Sequence, residues 1–445
     1  MKFQLPDSIQ KAIEILRRCG FCGYLVGGCV RDYLMGTPPL DFDMTTDATP
    51  AEVMNCFRDY RVIETGIAHG TVTVILEGLS IEITTHRTET SYSDKRHPDA
   101  VIFTKNIEDD LARRDFTMNA MAYHPSQGLI DLFGGEKDIE NQVIRCVGDP
   151  NRRFNEDALR IIRGLRFASV LGFELEKNTR MALFENRELL KAISVERLST
   201  EFTKLLCGEN VKAVVINGVT VLGVIIPELL LMEDFDQMNP HHCHDVLTHT
   251  LVALENIKPI PHLRWTILFH DMGKPETFTQ DDRGIGHFRG HGQVSERIAR
   301  MRLNALKMDK TTISQVCTLV KYHDYPLEPS KKSIKRWLNR LSRPLFLDLL
   351  AVKQADISAQ APDHPERLEI LEAVQCLMAE IISQNECFSR KDLAVNGRDL
   401  IGMGIKDGPE VGRILEVLLE EVIDERIENT WEILMEKARS LKNVN

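Results

Sequence analysis

With 445 residues, 43% of them apolar, the chain has room for roughly three domains with packed cores, which marks a globular, multidomain protein. Its formal net charge of -11 excludes a protein that coats nucleic acid indiscriminately, so any RNA contact has to come from a local basic surface on an acidic body. No charged-then-apolar leader opens the chain, and the most apolar stretch, 211–232, is interrupted by Lys212, Asn217, Gly218, Pro227 and Glu228; it predicts two buried helical pieces rather than a membrane span, and with them a cytoplasmic protein.

The first element is an amphipathic helix carrying Ile9, Ile13, Ile15 and Leu16. Cys19 and Cys22 follow with the spacing of a redox motif, but Gly20 sits where a helix would end before the apolar run 24–26, so the pair reads as coincidence. Ten cysteines without a disulfide rhythm suit reduced thiols. A strand at 25–26 leads into Gly27-Gly28-Cys29-Val30-Arg31-Asp32, and a second strand is expected over 40–44. Its period of two sends Asp41 and Asp43 to one face and Phe42 into the core. Two hard oxygen donors on one face suit magnesium, which takes one or two protein carboxylates together with the phosphates of a nucleoside triphosphate. Gly27 and Gly28 let backbone amides approach those phosphates, and Arg31 adds charge.

Further on, the pattern predicts a helix over 50–57 and strands over 71–76 and 79–85. Glu82 lies between Ile81 and Ile83 and faces away from them, either as a third carboxylate of the metal face or as the solvent-facing residue of an amphipathic strand. The polar segment 88–100, broken by Pro98, reads as a mobile loop beside the site. Arg113-Arg114-Asp115-Phe116-Thr117-Met118-Asn119 then supplies groups for phosphate and ribose recognition, while Asp115 or Thr117 equally suits a helix cap.

From Glu156 the pattern turns helical. Asp157, Arg160 and Arg163 fall on one face and Ala158, Ile161, Ile162 and Leu165 form the buried stripe. That spacing fits a surface ion pair, or an aspartate and an arginine held rigidly to read the edge of a base. Near the centre, His249 in a helix over 246–257, His270-Asp271 at the end of an apolar run, His287, His291, His323-Asp324 and Asp356 make a set of ligands suited to a divalent transition metal. His244 competes with His249 as the first ligand, and His291 and His323 could complete a second position. The basic run Lys331, Lys332, Lys335, Arg336, Arg340 and Arg343 around Trp337 reads as a solvated helix face or an RNA contact, and 396–412 as a joint between helices.

Assembled, these residues resemble the bacterial CCA-adding tRNA nucleotidyltransferases of the class shared with bacterial poly(A) polymerases, from end to end. Gly27-Gly28-x-Val30-Arg31-Asp32 with Asp41-x-Asp43 is similar to that family's catalytic motif, Arg113-Arg114-Asp115-Phe116-Thr117-x-Asn119-Ala120 to its ribose motif, and Glu156-Asp157-x-x-Arg160 to its nucleotide-selection motif. The central histidines resemble the metal-dependent phosphohydrolase module called the HD domain, and Asn396-Gly397-x-Asp399-Leu400 resembles the tail of HD-bearing members.

The resemblance implies an α+β fold. A polymerase-β-like nucleotidyltransferase head, a small mixed sheet with helices, would span 1–140; all-α neck and body helices 141–235; the HD module 236–360; and a helical tail 361–445. It implies template-independent addition of C, C and A to the tRNA 3' end from CTP and ATP, with release of pyrophosphate. Asp41, Asp43 and Glu82 would hold two magnesium ions, and Gly27, Gly28 and Arg31 would cradle the triphosphate. Arg114, Asp115 and Asn119 would meet the ribose side of the nucleotide, Asp157 and Arg160 the base, with Arg163 and Arg166 lining the same site. His249, His270, Asp271 and Asp356 would hold a divalent metal. The partners implied are tRNA, CTP and ATP, with no membrane and no obligatory protein partner. The alternatives are an A-adding specialist of a split system, an HD-dependent phosphohydrolase acting on RNA 3' ends, which can coexist with addition, and a poly(A) polymerase. A full-length segment 87–103 argues against a CC-only enzyme, and the acidic 416–428 region against the last alternative.

Overall fold

Short apolar runs separated by glycines and charged residues set up the strands of the N-terminal half: β1 (Gly23–Val26), β2 (Phe42–Thr46), β3 (Arg61–Ile63), β4 (Thr71–Leu76), β5 (Leu79–Thr85), β6 (Arg87–Glu89), β7 (Val101–Phe103), β8 (Met121–His124) and β9 (Gly128–Asp131). The computed structural model describes residues 3–64, 66–89, 101–239, 243–360 and 365–442. The chain divides into two compact units, Met1–Leu230 with Ala305–Lys307 and Leu231–Asn304 with Met308–Asn445.

In the first unit one sheet runs in the order β3-β4-β5-β2-β1-β8-β9. Strands β2 and β5 are parallel neighbours whose register sets Phe42 opposite Ile81 and Asp43 opposite Glu82. Alternation sorts the two faces: Phe42, Val72, Val74, Ile81 and Ile83 are buried, while Asp43 and Glu82 are exposed. Each fully buried isoleucine here contributes roughly 1.5–3 kcal/mol of transfer free energy, which fixes the register and therefore the carboxylate pair. Asp41 departs from the expected strand over 40–44. The strand begins at Phe42, and Asp41 stands in the bend before it, after Pro38-Pro39, whose missing amide hydrogens cannot join a ladder. β6 and β7 form a separate antiparallel ribbon that pairs Arg87 with Phe103. Most of the segment expected to form a loop, 90–100, lies outside the described residues.

The sheet is backed by α1 (Asp7–Arg18), α2 (Gly28–Leu34), α3 (Pro50–Cys56), α4 (Ile107–Ala112) and α5 (Gly135–Glu140). α1 buries Ile9, Ala12, Ile13 and Leu16, and the chain leaves it through Gly20 at φ 91°, which accounts for the glycine between Cys19 and Cys22. The helical body follows as α6 (Pro150–Glu156), α7 (Leu159–Leu171), α8 (Lys177–Glu185), α9 (Val195–Leu206), α10 (Val211–Leu222) and the short α11 (Leu229–Met232). The run expected to be one helix from Glu156 is broken: Asp157 is extended, at φ -136° and ψ 104°, so it does not share a helix face with Arg160. Among the described residues, no helix is long and apolar enough to cross a membrane.

The second unit contains α12 (Val246–Glu255), α13 (Pro261–His270), α14 (Lys274–Thr277), α15 (His291–Ala305), α16 (Lys310–Tyr322), α17 (Lys331–Leu341), α18 (Arg343–Ser358), α19 (Pro365–Ser383), α20 (Gly397–Gly402), α21 (Pro409–Ile423) and α22 (Trp431–Lys442). α13 is buried on every side from Leu263 to His270, with Trp265, Ile267, Leu268 and Phe269 in the core, as a central helix must be. The basic run on α17 is largely neutralised within this unit. Lys331 and Lys335 reach Glu386 at 2.7 and 2.6 Å, and Lys332 and Arg336 reach Asp424 at 3.0 and 2.7 Å.

Candidate active site and metal centre

Gly27 turns the chain from β1 into α2 with φ 73°. A Cβ there would lie 3.0 Å from Arg114 Nη1 and 3.9 Å from Asp43 Oδ2, so the glycine is what lets strand end, arginine and carboxylate converge. Partial desolvation by the surrounding protein and repulsion from Glu82 push the Asp43 carboxyl above its ordinary pKa, against the pull of Arg114. Such a crowded carboxylate is relieved by a cation. Among the described residues, Asp41, Asp43 and Glu82 do not gather their donor atoms within 4.8 Å of one another.

Arg114 is held from behind by Asp110, a residue the sequence reading did not single out. Asp110 is buried, accepts from Arg113 Nε and Nη2 at 3.0 and 2.8 Å and from Arg114 Nη2 at 3.2 Å, and also meets Thr45. Burial opposes its charge, but Arg114 and Arg113 prevail and hold its pKa at about 2. The spacing of an acid three and four residues before two arginines is the signal that could have found it.

Arg31 Nη1 donates to Asn119 Oδ1 at 2.9 Å, and Asn119 Nδ2 donates to Asp115 Oδ1 at 3.3 Å. Asp115 also accepts from Arg163 through Nε at 2.8 Å and Nη2 at 2.6 Å. Burial works against ionised Asp115, yet Arg163 wins and leaves its pKa at about 2. Asp115 is thus joined to the ribose motif and to α7 at once. Asp157 Oδ1 accepts from the Leu159 amide at 3.0 Å, and Oδ2 accepts from Arg197 Nη2 at 3.0 Å. Arg160 is buried and donates to the Arg153 carbonyl at 3.0 Å, Glu156 Oε2 at 2.9 Å and the Arg113 carbonyl at 2.8 Å. The Arg160 amide donates to the Asp157 carbonyl at 3.1 Å, but the two side chains take other partners; Arg197, from α9, is the guanidinium on Asp157.

In the second unit, the donor atoms of His249, His270, Asp271 and Asp356 lie within 4.8 Å of one another, and so do those of Asp271, His291 and His323. His249, rather than His244, is in the set; His244 offers its carbonyl to Gln237 Nε2 at 3.0 Å. His287 lies apart and pairs with Asp281 on an exposed turn at 3.0 Å. Asp271 Oδ2 faces His249 Nε2 at 3.3 Å and His270 Nε2 at 3.2 Å, while its Oδ1 faces His291 Nε2 at 3.4 Å and His323 Nε2 at 3.7 Å. In all four histidines the other ring nitrogen, Nδ1, sits against a backbone carbonyl, at 3.1 Å (His249), 2.7 Å (His270), 2.9 Å (His291) and 2.7 Å (His323). With Nδ1 on a carbonyl, Nε2 is the nitrogen turned inward, the atom that would ligate a bound metal.

Two further observations fit a cation there. His270 Nε2 and Asp271 Oδ2 are buried without a well-directed hydrogen bond, and burial of His270 works against its charge, yet Asp271 and Asp356 push its pKa up to about 10. The pocket calls for positive charge. Lys274 supplies one fixed share, with Nζ 2.7 Å from Asp271 Oδ2 and 2.8 Å from Gln237 Oε1. A set of imidazoles and carboxylates suits a divalent transition metal, with Asp271 shared between two positions.

Comparison with known proteins places this geometry. Residues 23–145 match the poly A polymerase head domain, 172–217 the probable RNA and SrmB-binding site of polymerase A, and 277–438 the putative tRNA nucleotidyltransferase domain 2. The CCA-adding enzyme of Ligilactobacillus salivarius is 33% identical over 98% of this chain and 98% of its own length. The chain belongs to the CCA-adding enzymes. That of Anoxybacillus flavithermus is 34% identical over 96% of this chain and 95% of its own. Among solved structures, the Bacillus stearothermophilus CCA-adding enzyme in complex with CTP covers 99% of this chain and 100% of its own, with TM-score 0.71 and 28% identity. The Thermotoga maritima CCA-adding enzyme complexed with tRNA-CCA, at TM-score 0.59 and 21% identity, shares the fold. Members of this family are tRNA nucleotidyltransferases, and their chemistry uses a divalent metal.

Proposed function

We propose that this chain adds C, C and A in turn to the 3' end of tRNA, taking the nucleotides from CTP and ATP and releasing pyrophosphate. The observation that carries the reading is the β2–β5 register, which sets Asp43 opposite Glu82 beside Gly27 and Arg114 in a chain related to CCA-adding enzymes over its whole length. Asp41 and Asp43, with Glu82, would hold two magnesium ions. When bound, these supply the charge that lowers the pKa of the attacking 3'-hydroxyl and offsets the charge of departing pyrophosphate. Gly27 and Gly28 bring backbone amides to the triphosphate, Arg31 and Arg114 add charge to it, and Asp115 and Asn119 orient the ribose. Asp157 and Arg160, with Arg163 and Arg166 beside them, read the base. Cytosine and adenine share a donor next to an acceptor on that edge, whereas uracil and guanine reverse it and leave buried partners unmet.

Transcripts ending before CCA, after C and after CC, given magnesium with CTP, ATP or both, test this directly. Both nucleotides together should carry the shortest transcript to CCA and then stop. Growth of the CC-ended transcript alone, by one A, would make the chain an A-adding specialist; an open-ended A tail would make it a poly(A) polymerase. Gly27→Ala should cost about 10²-fold in kcat/KM, because the methyl displaces Arg114 and strains the turn. Wild-type kinetics from that variant would remove Gly27 from the site.

A second activity is favoured by the four inward-facing histidine nitrogens of the second unit. His249, His270, Asp271 and Asp356 would hold one divalent ion, and Asp271, His291 and His323 a second, giving an HD-type phosphohydrolase that removes phosphate from RNA 3' ends. Such ions supply Lewis acidity toward a phosphoryl oxygen.

A further inference from the structure

The nucleotide site of the first unit ends in a contact that no motif announces. Asp32 Oδ1 accepts from Arg31 at 3.0 and 2.7 Å, and Arg31 leads through Asn119 and Asp115 to Arg163. The row then continues. Arg163 Nη1 lies 3.8 Å from Glu201 Oε1, and Glu201 Oε2 lies 2.9 Å from Arg166 Nε. All three guanidiniums gather on the ring of Phe167: Arg166 at 3.8 Å, Arg163 at 5.3 Å and Arg31 at 5.4 Å from its centroid. Phe167 and Glu201 are 5% and 7% exposed.

Three cations crowded on one buried ring repel one another and have lost much of their hydration. Asp32 and Asp115 each answer one of them, and Glu201, reaching in from α9, answers the third. The face of the ring carries negative quadrupole charge and gives all three a common surface. Burial and the nearby Arg163 already weaken the hold of Arg166 on its proton, bringing it to about 10, so the arrangement has little charge to spare.

We infer that Glu201 and Phe167 are positioning residues for nucleotide selection: carboxylate and ring hold Arg31, Arg163 and Arg166 as one row, so that the triphosphate end and the base end of the site are set together. This rests on the nucleotide-addition reading above. Neither residue touches the reacting atoms; each acts through the arginines.

The test is single-nucleotide addition kinetics with CTP, ATP and UTP for wild type, Glu201→Gln, Phe167→Leu and the double variant, with melting curves for each. Glu201→Gln should raise KM for CTP and ATP about tenfold with a smaller change in kcat, and reduce the preference for CTP over UTP about tenfold, the scale of one lost buried ion-pair contact. Phe167→Leu should do the same, and the double variant should lose markedly less than the product of the two singles, because both disturb one row. If Glu201→Gln does not fold, Phe167→Leu carries the test alone. A folded Phe167→Leu protein with unchanged KM and selection overturns the inference, and so do single effects that simply multiply. A wild-type protein that takes UTP as readily as CTP would instead refute the base-reading site on which the inference rests.

Discussion

Asp43→Asn is expected to abolish nucleotide addition while leaving a folded protein. The side chain keeps its size and loses only its charge, and that charge is the one the site crowds: partial desolvation, Glu82 and Asp41 all raise the Asp43 pKa. Placing a carboxylate there costs stability in the absence of a cation, so the amide should not lower the melting temperature measured without metal. The cost falls on the reaction. Loss of several kcal/mol of charge stabilisation, at about 1.4 kcal/mol per decade, means a fall in kcat on the order of 10³-fold or more. The phosphohydrolase activity proposed for the second unit, which would use none of these residues, should be unchanged. A collapse of both activities together with the melting temperature would show that Asp43 serves the fold rather than the reaction.

Local signals were legible where the side-chain period decides burial. Phe42, Ile81 and Ile83 turn inward, and with them the exposure of Asp43 and Glu82 follows from a period of two. The same reasoning began the strand at Leu40, two residues before the ladder forms at Phe42, and so set Asp41 within it rather than in the bend before it. It also ran one helix through Asp157, where the chain is extended and the carboxylate turns to cap Leu159 and meet Arg197. What was not legible is long-range. Arg197 answers Asp157, and Glu201 answers Arg166, from a helix whose docking on α7 no local pattern announces. The histidines of the second unit could be collected by residue type, but the turn of each ring is set by a backbone carbonyl, three residues back for His270, His291 and His323 and from distant Ala359 for His249, that only the folded chain supplies.

Those carbonyls carry the other large expectation. The purified protein should bind two divalent transition-metal ions in the second unit, and Asp271→Ala should remove both. Asp271 is the only residue common to the two donor sets among the described residues, with one oxygen turned to His249 and His270 and the other to His291 and His323. Losing a partner that merely supports a ligand costs about 10–100-fold in metal affinity, so losing a shared ligand should exceed that at both positions. Metal content after dialysis and thermal melting read this without relying on activity. At a hundredfold excess over Kd a bound ion adds about 2.7 kcal/mol to the folded state, a rise of roughly 5–10 °C in the melting of the second unit that wild type should show and Asp271→Ala should not. Nucleotide addition should persist in that variant. A protein that holds one ion, lost equally in His270→Ala and untouched in His291→Ala, would confine the centre to the His249, His270, Asp271 and Asp356 set. One that holds none, with the same melting temperature in metal and in chelator, would leave the inward-facing nitrogens as a hydrogen-bonded core and end the phosphohydrolase reading.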